Sequence, residues 1–421
     1  MSDPIKHECG IVMIRLRKPL EYYQKKYGTA LYGLNKLYLL MEKQHNRGQD
    51  GAGVASIKLD VEPGKRYISR YRSNNDKPIK EIFDKINSKF WDLSKNQPEK
   101  LKDPAWLKEN ISFVGELLLG HLRYGTFGGN NIEYCHPFLR QNNWKTRNLV
   151  LAGNFNLTNV DELFGLLVNL GQHPKAKSDT VTVLEKIGHF IDLENETIFE
   201  KNKKHKLSNK EISGLISEKM NIPRVLKRAS KEFDGGYVMC GLVGHGDAFV
   251  LRDPAGIRPC HYYIDDEIVV VASERPAIQT AMNVTVDKVK TLDPGSALVI
   301  KKNGDISFNT GVIDTTNALT INSVGGAISI NSVMGSGTAK ALTVNANSGD
   351  TTADATETIT IGAIGNANEI GAVALTAADG VTLSGDITLA NAAGADLTVT
   401  GAAKISGTVV IDVDNAGEAH E

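Results

Sequence analysis

Aromatic residues are missing from the last quarter of this 421-residue chain. It carries 12 Phe, 12 Tyr and 3 Trp, and the last of them is Phe308. Arg is missing from the same stretch. Residues 311–421 hold two Lys against twelve Asp and Glu, a formal charge of −10, so the overall charge of −1 leaves +9 on residues 1–310. One continuous globular domain rarely changes composition so abruptly, and the chain reads as two different parts joined.

Cysteine is scarce as well. Cys9, Cys135, Cys240 and Cys260 form no CxxC pair, which excludes a disulfide scaffold and reads as reduced, cytoplasmic thiols. Long apolar runs are absent. The start MSDPIKHE has no stretch that could serve as a secretory signal, and no segment is long enough to span a membrane. A cytoplasmic location with no membrane partner is the expectation. The Lys-rich run from Lys201 to Lys210 is flanked by Glu200 and Glu211. It reads as solvated surface, with no nucleic-acid partner.

What is present is a patterned front part. Residues 9–15 read as a strand, and 24–45 as one helix with Leu31, Leu34, Tyr38 and Met41 at helical spacing. Gly48, Gly51 and Gly53 mark a tight turn before a strand at Val54–Leu59. Residues 60–110 are polar and lysine-rich, and read as a surface insertion with a short helix near Ile79–Phe90. Strands are expected at Leu117–Leu122 and Asn148–Ala152, then helices at Val160–Leu170, Thr180–Ile191, Asn209–Met220 and Arg224–Phe233. Further strands follow at Gly236–Val243, Ala248–Arg252, Glu267–Ala272 and Ala297–Lys301. Strands, then helices, then strands predict an α+β fold with sheets sandwiched between helices. The tail repeats short runs such as ALTINSVGG, KALTVNANSGD and ETITIGAIG. Aliphatic residues alternate there with Thr, Ser or Asn between small-residue turns, which predicts an all-β, solenoid-like stack. Exposed strand edges in such a stack invite self-association or homo-oligomers.

Five clusters could carry chemistry, and each has a plain structural alternative. Cys9 is either a small buried hydrophobe or, if residues 1–8 are removed, a thiol beside its own free α-amine. Such an amine has a pKa of about 8 and can act as the thiol's base. Arg123, in Gly120-His121-Leu122-Arg123-Tyr124-Gly125-Thr126, is either a surface ion-pair partner or a two-pronged ligand for a carboxylate. In Gly153-Asn154-Phe155-Asn156-Leu157-Thr158-Asn159, Thr158 or Asn159 can cap the next helix. Asn154 is either a turn residue or a donor to a developing oxyanion. Asp179, in the Ser178-Asp179-Thr180 run, is either part of a helix cap or a carboxylate for an ammonium group. Arg252-Asp253-Pro254-Ala255-Gly256-Ile257-Arg258-Pro259 reads as a tight, ion-paired turn.

Seven segments in order carry a family resemblance: CGIV at 9–12, KQHNRGQDGAG at 43–53, GHLRYGT at 120–126, LAGNFNLTN at 151–159, SDT at 178–180, RDPAGIRP at 252–259 and ASERPA at 272–277. Over residues 9–305 they resemble the class II glutamine amidotransferase domain. The likeness is nearest to the branch that passes ammonia to phosphoribosyl pyrophosphate in purine synthesis. That resemblance implies a four-layer α/β/β/α N-terminal-nucleophile hydrolase sandwich acting on L-glutamine, without metal or cofactor. Cys9 would be the nucleophile, freed by loss of a leader at 1–8, and its α-amine the general base. Arg123 would hold the substrate carboxylate and Asp179 its ammonium group. Asn154 and the backbone N–H of Phe155 would form the oxyanion hole, with His121 and Arg47 shaping the substrate site.

The sequence departs from the family pattern in three places. Asn154-Phe155 stands where the family has Asn-Gly, and Asn46 is inserted between His45 and Arg47. The family branch also has a phosphoribosyl-binding half that uses Mg2+ and phosphoribosyl pyrophosphate, and no matching run follows residue 310. Instead, after a junction at 306–317, residues 318–421 resemble repeats of bacterial filamentous adhesins and other surface β-solenoids, which points to a fused chain. The alternative function is therefore a structural or adhesive β-solenoid carrying an inactive amidotransferase-like domain.

Overall fold

A computed structural model of the protein describes residues 8–125, 131–205, 207–309, 313–315, 319–323, 327–335, 341–346, 357–365, 370–390 and 395–413. Residues 1–7 of the expected leader, Thr126 of the GHLRYGT segment and parts of the tail lie outside the described residues. The chain divides into two compact units, 1–295 and 296–421, ahead of the change in composition.

The first unit begins with β1 (Gly10–Leu16), α1 (Leu20–Tyr27), α2 (Tyr32–Lys43), β2 (Gly51–Ile57) and β3 (Ile68–Ser73). Next come α3 (Pro78–Asn96), α4 (Pro104–Asn110), β4 (Leu117–Arg123), β5 (Phe138–Arg140) and β6 (Leu149–Leu157). A helical stretch follows: α5 (Val160–Asn169), α6 (Asp179–Lys203), α7 (Asn209–Lys219) and α8 (Ile222–Ala229). It closes with β7 (Gly235–Val243), β8 (Ala248–Arg252), β9 (His261–Ile264), β10 (Ile268–Ala272), α9 (Arg275–Met282) and β11 (Lys290–Thr291). One antiparallel sheet has the order β11-β9-β10-β1-β4-β2-β3. A second antiparallel run is β5-β6-β7-β8. β1 and β4 pack against β6 and β7, helices α2, α3 and α9 cover the outside of the first sheet, and α6 covers the second. The layers are helix, sheet, sheet, helix.

Strand periodicity explains this layering. In β1, Val12, Ile14 and Leu16 face the helix-side core with Leu34, Leu37, Leu40 and Met41 of α2. The alternate residues Ile11 and Met13 are also buried, so β1 is apolar on both faces, as a strand between two layers must be. β4 alternates in the same way. Leu118 and Leu122 join the helix-side core, while His121 reaches Gly153 of β6.

Several expectations need correction. The helix expected at 24–45 is two helices, because Gly28 takes a left-handed conformation (φ 74°) and ends α1. Residues 60–110 are not a surface insertion. β3 completes the sheet beside β2, and α3 buries Ile79, Ile82, Phe83, Ile86 and Phe90 in the main core. β6 runs through Leu157, so Asn154 and Phe155 lie in a strand rather than a turn. Asn159 makes no side-chain cap to α5. It donates instead to the Glu232 carbonyl at 2.8 Å, while Thr158 bonds Asp234.

In the second unit, parallel strands stack in register. Leu319, Leu342, Val373 and Leu397 form one row, and Ile321, Val344, Leu375 and Val399 the next but one. Another stack aligns Ile306, Ile328, Ile359, Val381 and Ala403. A further row aligns Ile313, Val333, Ile364, Ile387 and Ile411. The inner members of these rows, among them Ile328, Val333, Leu342, Val344, Ile359, Ile364, Leu375 and Ile387, share one buried core. Each layer repeats the one below, so small aliphatic side chains fill it without aromatics. No helix among the described residues is long and apolar enough to cross a membrane.

The glycines of KQHNRGQDGAG are required by close backbone approach. A Cβ on Gly53 would lie 1.9 Å from the His136 carbonyl oxygen, and one on Gly48 would lie 2.5 Å from the Arg123 carbonyl carbon. Backbone atoms cannot swing aside as a side chain does. Gly53→Ala is therefore expected to cost at least about 1–3 kcal/mol, read as a lower urea midpoint of tryptophan fluorescence, whose reporters all lie in the first unit.

Candidate active site

Cys9 precedes the first residue of β1. Two segments distant in sequence hold the backbone around it. Gln44 Nε2 donates to the Ile11 carbonyl at 3.0 Å, the Ile11 N–H donates to Ser273 Oγ at 3.0 Å, and Arg47 Nε donates to the Cys9 carbonyl at 3.3 Å. Register then sets the neighbours. Gly10 lies opposite Leu122, which brings the end of β4 beside the thiol. The Tyr124 N–H donates to Cys9 Sγ at 3.4 Å. Asp50 clamps this turn, accepting from the Gly125 N–H at 2.8 Å while its own N–H donates to the Arg123 carbonyl at 3.0 Å. Burial pushes the thiol pKa up; the Tyr124 backbone bond, Arg123 and Arg258 pull it back down, while Asp179 adds to the rise.

A cavity of about 70 Å3 opens beside the thiol, lined by Cys9, His121, Arg123, Phe155, Asp179 and Thr180 among others. Five of the residues singled out from sequence, Cys9, His121, Arg123, Phe155 and Asp179, thus meet at one place. Asp179 begins α6, with Ser178 as its cap, accepting from the Val181 N–H. Burial raises the Asp179 pKa, and its bonds from Thr180 oppose that rise.

Two others meet elsewhere. Asn154 lies on the opposite face of β6 from Phe155, as neighbours in a strand must, and does not line the cavity. Its Nδ2 donates to Glu8 Oε2 at 3.3 Å. Arg47 Nη2 pairs with the same oxygen at 3.0 Å and its Nη1 lies 3.5 Å from Glu274. Arg258 pairs with the other Glu8 oxygen. The RDPAGIRP turn presents Arg258: Asp253 accepts from the Ile257 and Arg258 N–H groups at 2.9 and 3.1 Å, and Arg252 donates to the Gly256 and Arg258 carbonyls at 2.8 Å. Glu8, the residue before Cys9, is therefore gripped by two guanidinium groups and one carboxamide.

The backbone at Phe155 is extended rather than left-handed, so the conformation special to glycine is not in use here. Tyr237 lies opposite Phe155, and its carbonyl accepts from the Asp253 N–H on the β8 side at 2.8 Å. That makes Phe155–Tyr237 a non-hydrogen-bonded pair. The Phe155 N–H accordingly points away from β7, to the side where the Gly153 N–H donates to His136 Nδ1 at 3.1 Å. The ring of Phe155 lies over Gly153, where a Cβ would be 2.2 Å from ring carbon.

Glu8, Asp50, His136, Thr180 and Arg258 join the site without having been singled out from sequence. Asp50, Thr180 and Arg258 sit inside the family-like segments, so position in a motif was an available signal. His136 and Glu8 carry none. Among the described residues, no group of three or more His, Cys, Asp or Glu is placed to hold a metal ion.

No family model matches the chain. The chain is similar to amidophosphoribosyltransferases. That of Methanothermobacter thermautotrophicus is 25% identical over 302 residues, covering 72% of this chain and 48% of the relative. Those of Archaeoglobus fulgidus and Bacillus subtilis are each 27% identical, over 273 and 305 residues, covering 64% and 71% of this chain and 45% and 47% of the relatives. The chain thus spans about half the length of the curated relatives it matches. Among solved structures, glutamine phosphoribosylpyrophosphate amidotransferase from B. subtilis complexed with ADP and GMP gives a TM-score of 0.43 at 21% identity, covering 76% of this chain and 51% of that one. A structure described as the allosteric regulatory enzyme of purine biosynthesis gives 0.43 at 23% identity, covering 72% and 48%. The sequence similarity supports a relationship to the class II glutamine amidotransferases.

The Phe155 ring and the bare Gly153 backbone form one packing unit. Gly153→Ala is expected to cost about 1–3 kcal/mol. In a Phe155→Ala background the same change should cost less than about 0.5 kcal/mol, because the two sites are in contact and couple. A denaturant double-mutant cycle measures the difference.

Proposed function

We propose that the first unit is a glutamine amidohydrolase of the N-terminal-nucleophile type, hydrolysing L-glutamine through a Cys9 thioester. The observation that carries this reading is the single cavity where the thiol meets a guanidinium, Arg123, and a carboxylate, Asp179. A zwitterionic amino acid needs one group of each sign, and its side-chain amide must reach a nucleophile. In this reading Cys9 Sγ attacks the carboxamide carbon of glutamine and its proton passes to the Cys9 α-amine. The amine returns a proton to the leaving nitrogen as the C–N bond breaks, giving ammonia and a γ-glutamyl thioester. Water, deprotonated by the same amine, then releases glutamate and restores the thiol. The Phe155 N–H serves the oxyanion, joined by Asn154 once Glu8 no longer holds its carboxamide outside the cavity; His121 lines the substrate site and Arg47 braces it through the Cys9 carbonyl.

The leader governs both requirements. While Glu8 is attached, the Cys9 nitrogen is an amide and cannot act as a base, and Asn154 is held by the Glu8 carboxylate. Loss of residues 1–8 frees the amine and the carboxamide together. For the ammonia acceptor the reading borrows from the relatives: as part of an amidophosphoribosyltransferase, the domain would supply a partner half that uses Mg2+ and phosphoribosyl pyrophosphate. A non-catalytic reading is favoured by one feature, the Phe155 ring in a cavity of only about 70 Å3. It makes the domain an inactive passenger on the second unit.

For the second unit the reading is a β-solenoid, supported by the in-register parallel rows around one aliphatic core. Its last strands expose Ile405 and Ile411, at 55% and 44%, and self-association through that end follows.

Two tests follow. Purified protein lacking residues 1–8 by intact mass should release ammonia from glutamine; Cys9→Ala should abolish it, and the unprocessed chain should be inactive. Undiminished ammonia release by Cys9→Ala would overturn the mechanism. In sedimentation, Ile405→Lys should shift the protein toward monomer; an unchanged distribution removes that end from the association.

A further inference from the structure

The stacked pair His121 and His136 forms part of the cavity wall, ring centroids 4.2 Å apart and planes 12° from parallel. Both rings are buried, and both bond the same residue. The Gly153 N–H donates to His136 Nδ1 at 3.1 Å, and the Gly153 carbonyl meets His121 Nε2 at 3.1 Å. A backbone N–H only donates, so His136 Nδ1 must be bare and the neutral ring must carry its proton on Nε2. That proton faces Thr180 Oγ1 at 3.0 Å. The hydroxyl then has its own proton to give, and Asp179 Oδ1 lies 3.2 Å away, already accepting from the Thr180 N–H at 2.6 Å.

We propose that His136 is a positioning residue that joins the two halves of the substrate site. Through Gly153 it fixes the strand carrying Asn154 and Phe155; through Thr180 it orients the Asp179 carboxylate. The direction of every bond follows from one backbone N–H, giving a one-way relay from Gly153 through His136 and Thr180 to Asp179. The ring must stay neutral for this, because a proton on Nδ1 would oppose the Gly153 N–H. Its surroundings keep it so: burial lowers the pKa of both rings, His121 to about 3, and the Arg123 and Arg72 guanidinium groups oppose a charge on His136. Asp179 is the acid that approaches from α6, with Thr180 between. The role deepens the glutaminase reading and rests on it.

Two conservative variants separate the arms. His136→Asn keeps an acceptor near Nδ1 for Gly153 and loses the donor to Thr180. It should raise the KM for glutamine by roughly tenfold with little change in kcat, in the range found for residues that orient a ligand through another group. Thr180→Val should reproduce that effect. His136→Gln keeps a donor near Nε2 and loses the acceptor for Gly153, and should lower kcat by roughly tenfold with KM nearly unchanged. Equal losses in both parameters for both His136 variants, or no change in either, overturn the proposal. Nitrogen-15 histidine spectra of the unmutated protein give a readout without activity. His136 should hold one proton, on Nε2, from pH 5 to 8; a second proton taken up in that range overturns the relay. If the processed wild type hydrolyses no glutamine, the glutaminase reading fails while these spectra still decide the tautomer.

Discussion

The pairing of β1 with β4 is the constraint from which the rest of the first unit follows. Gly10 opposite Leu122 brings the thiol just before β1 to the Tyr124 N–H just after β4. A slip of one residue would turn the side chains of β1 to the other face and carry Val12 and Ile14 out of the helix-side core. The same register makes His121 and Arg123 point between the sheets while Gly120 packs under Met41 and Leu37. Apolar burial on one face thus fixes polar chemistry on the other.

Charge is concentrated where the chain enters this frame. Glu8 meets Arg47 and Arg258 in a half-buried pocket, where paired charges matter more than on an open surface. The two arginines come from segments far apart in sequence, each held by its own turn: Arg47 beside the glycine approach to Arg123, and Arg258 on the turn that Asp253 and Arg252 brace. Breaking the bond after Glu8 would remove the acid they share, with Glu274 still beside Arg47, and leave a positive field at the new amine. Such a field favours the unprotonated amine that a base requires.

The second unit obeys a different rule. Its core is built by repetition, with Leu above Leu and Ile above Ile, and each strand bonds to a near copy of itself. Such a stack needs residues that fit the same narrow space in every layer. Beyond Phe308 it has no use for Phe, Tyr or Trp, and none for Arg, whose bulk or charge would have to be matched in the next layer. The change of composition after Phe308 is the outward sign of this change in how a core is made.

Much of this was legible in the chain itself. Periodicity located most strands and helices, and the ordered segments singled out five residues that line one cavity. Local pattern did not reveal that α3 is core, because its polar flanks resemble a surface insertion; burial against the first sheet decided that. It also read Asn154 as a turn residue. Nine-residue pairing with β7 made it a strand residue, which put Asn154 and Phe155 on opposite faces. Glu8 and His136 carry no motif at all. The sequence alone determined which side chains were available for chemistry, because identity and spacing are local. Only the tertiary structure decided which of them meet, because strand register and face are set by packing between segments distant in the chain.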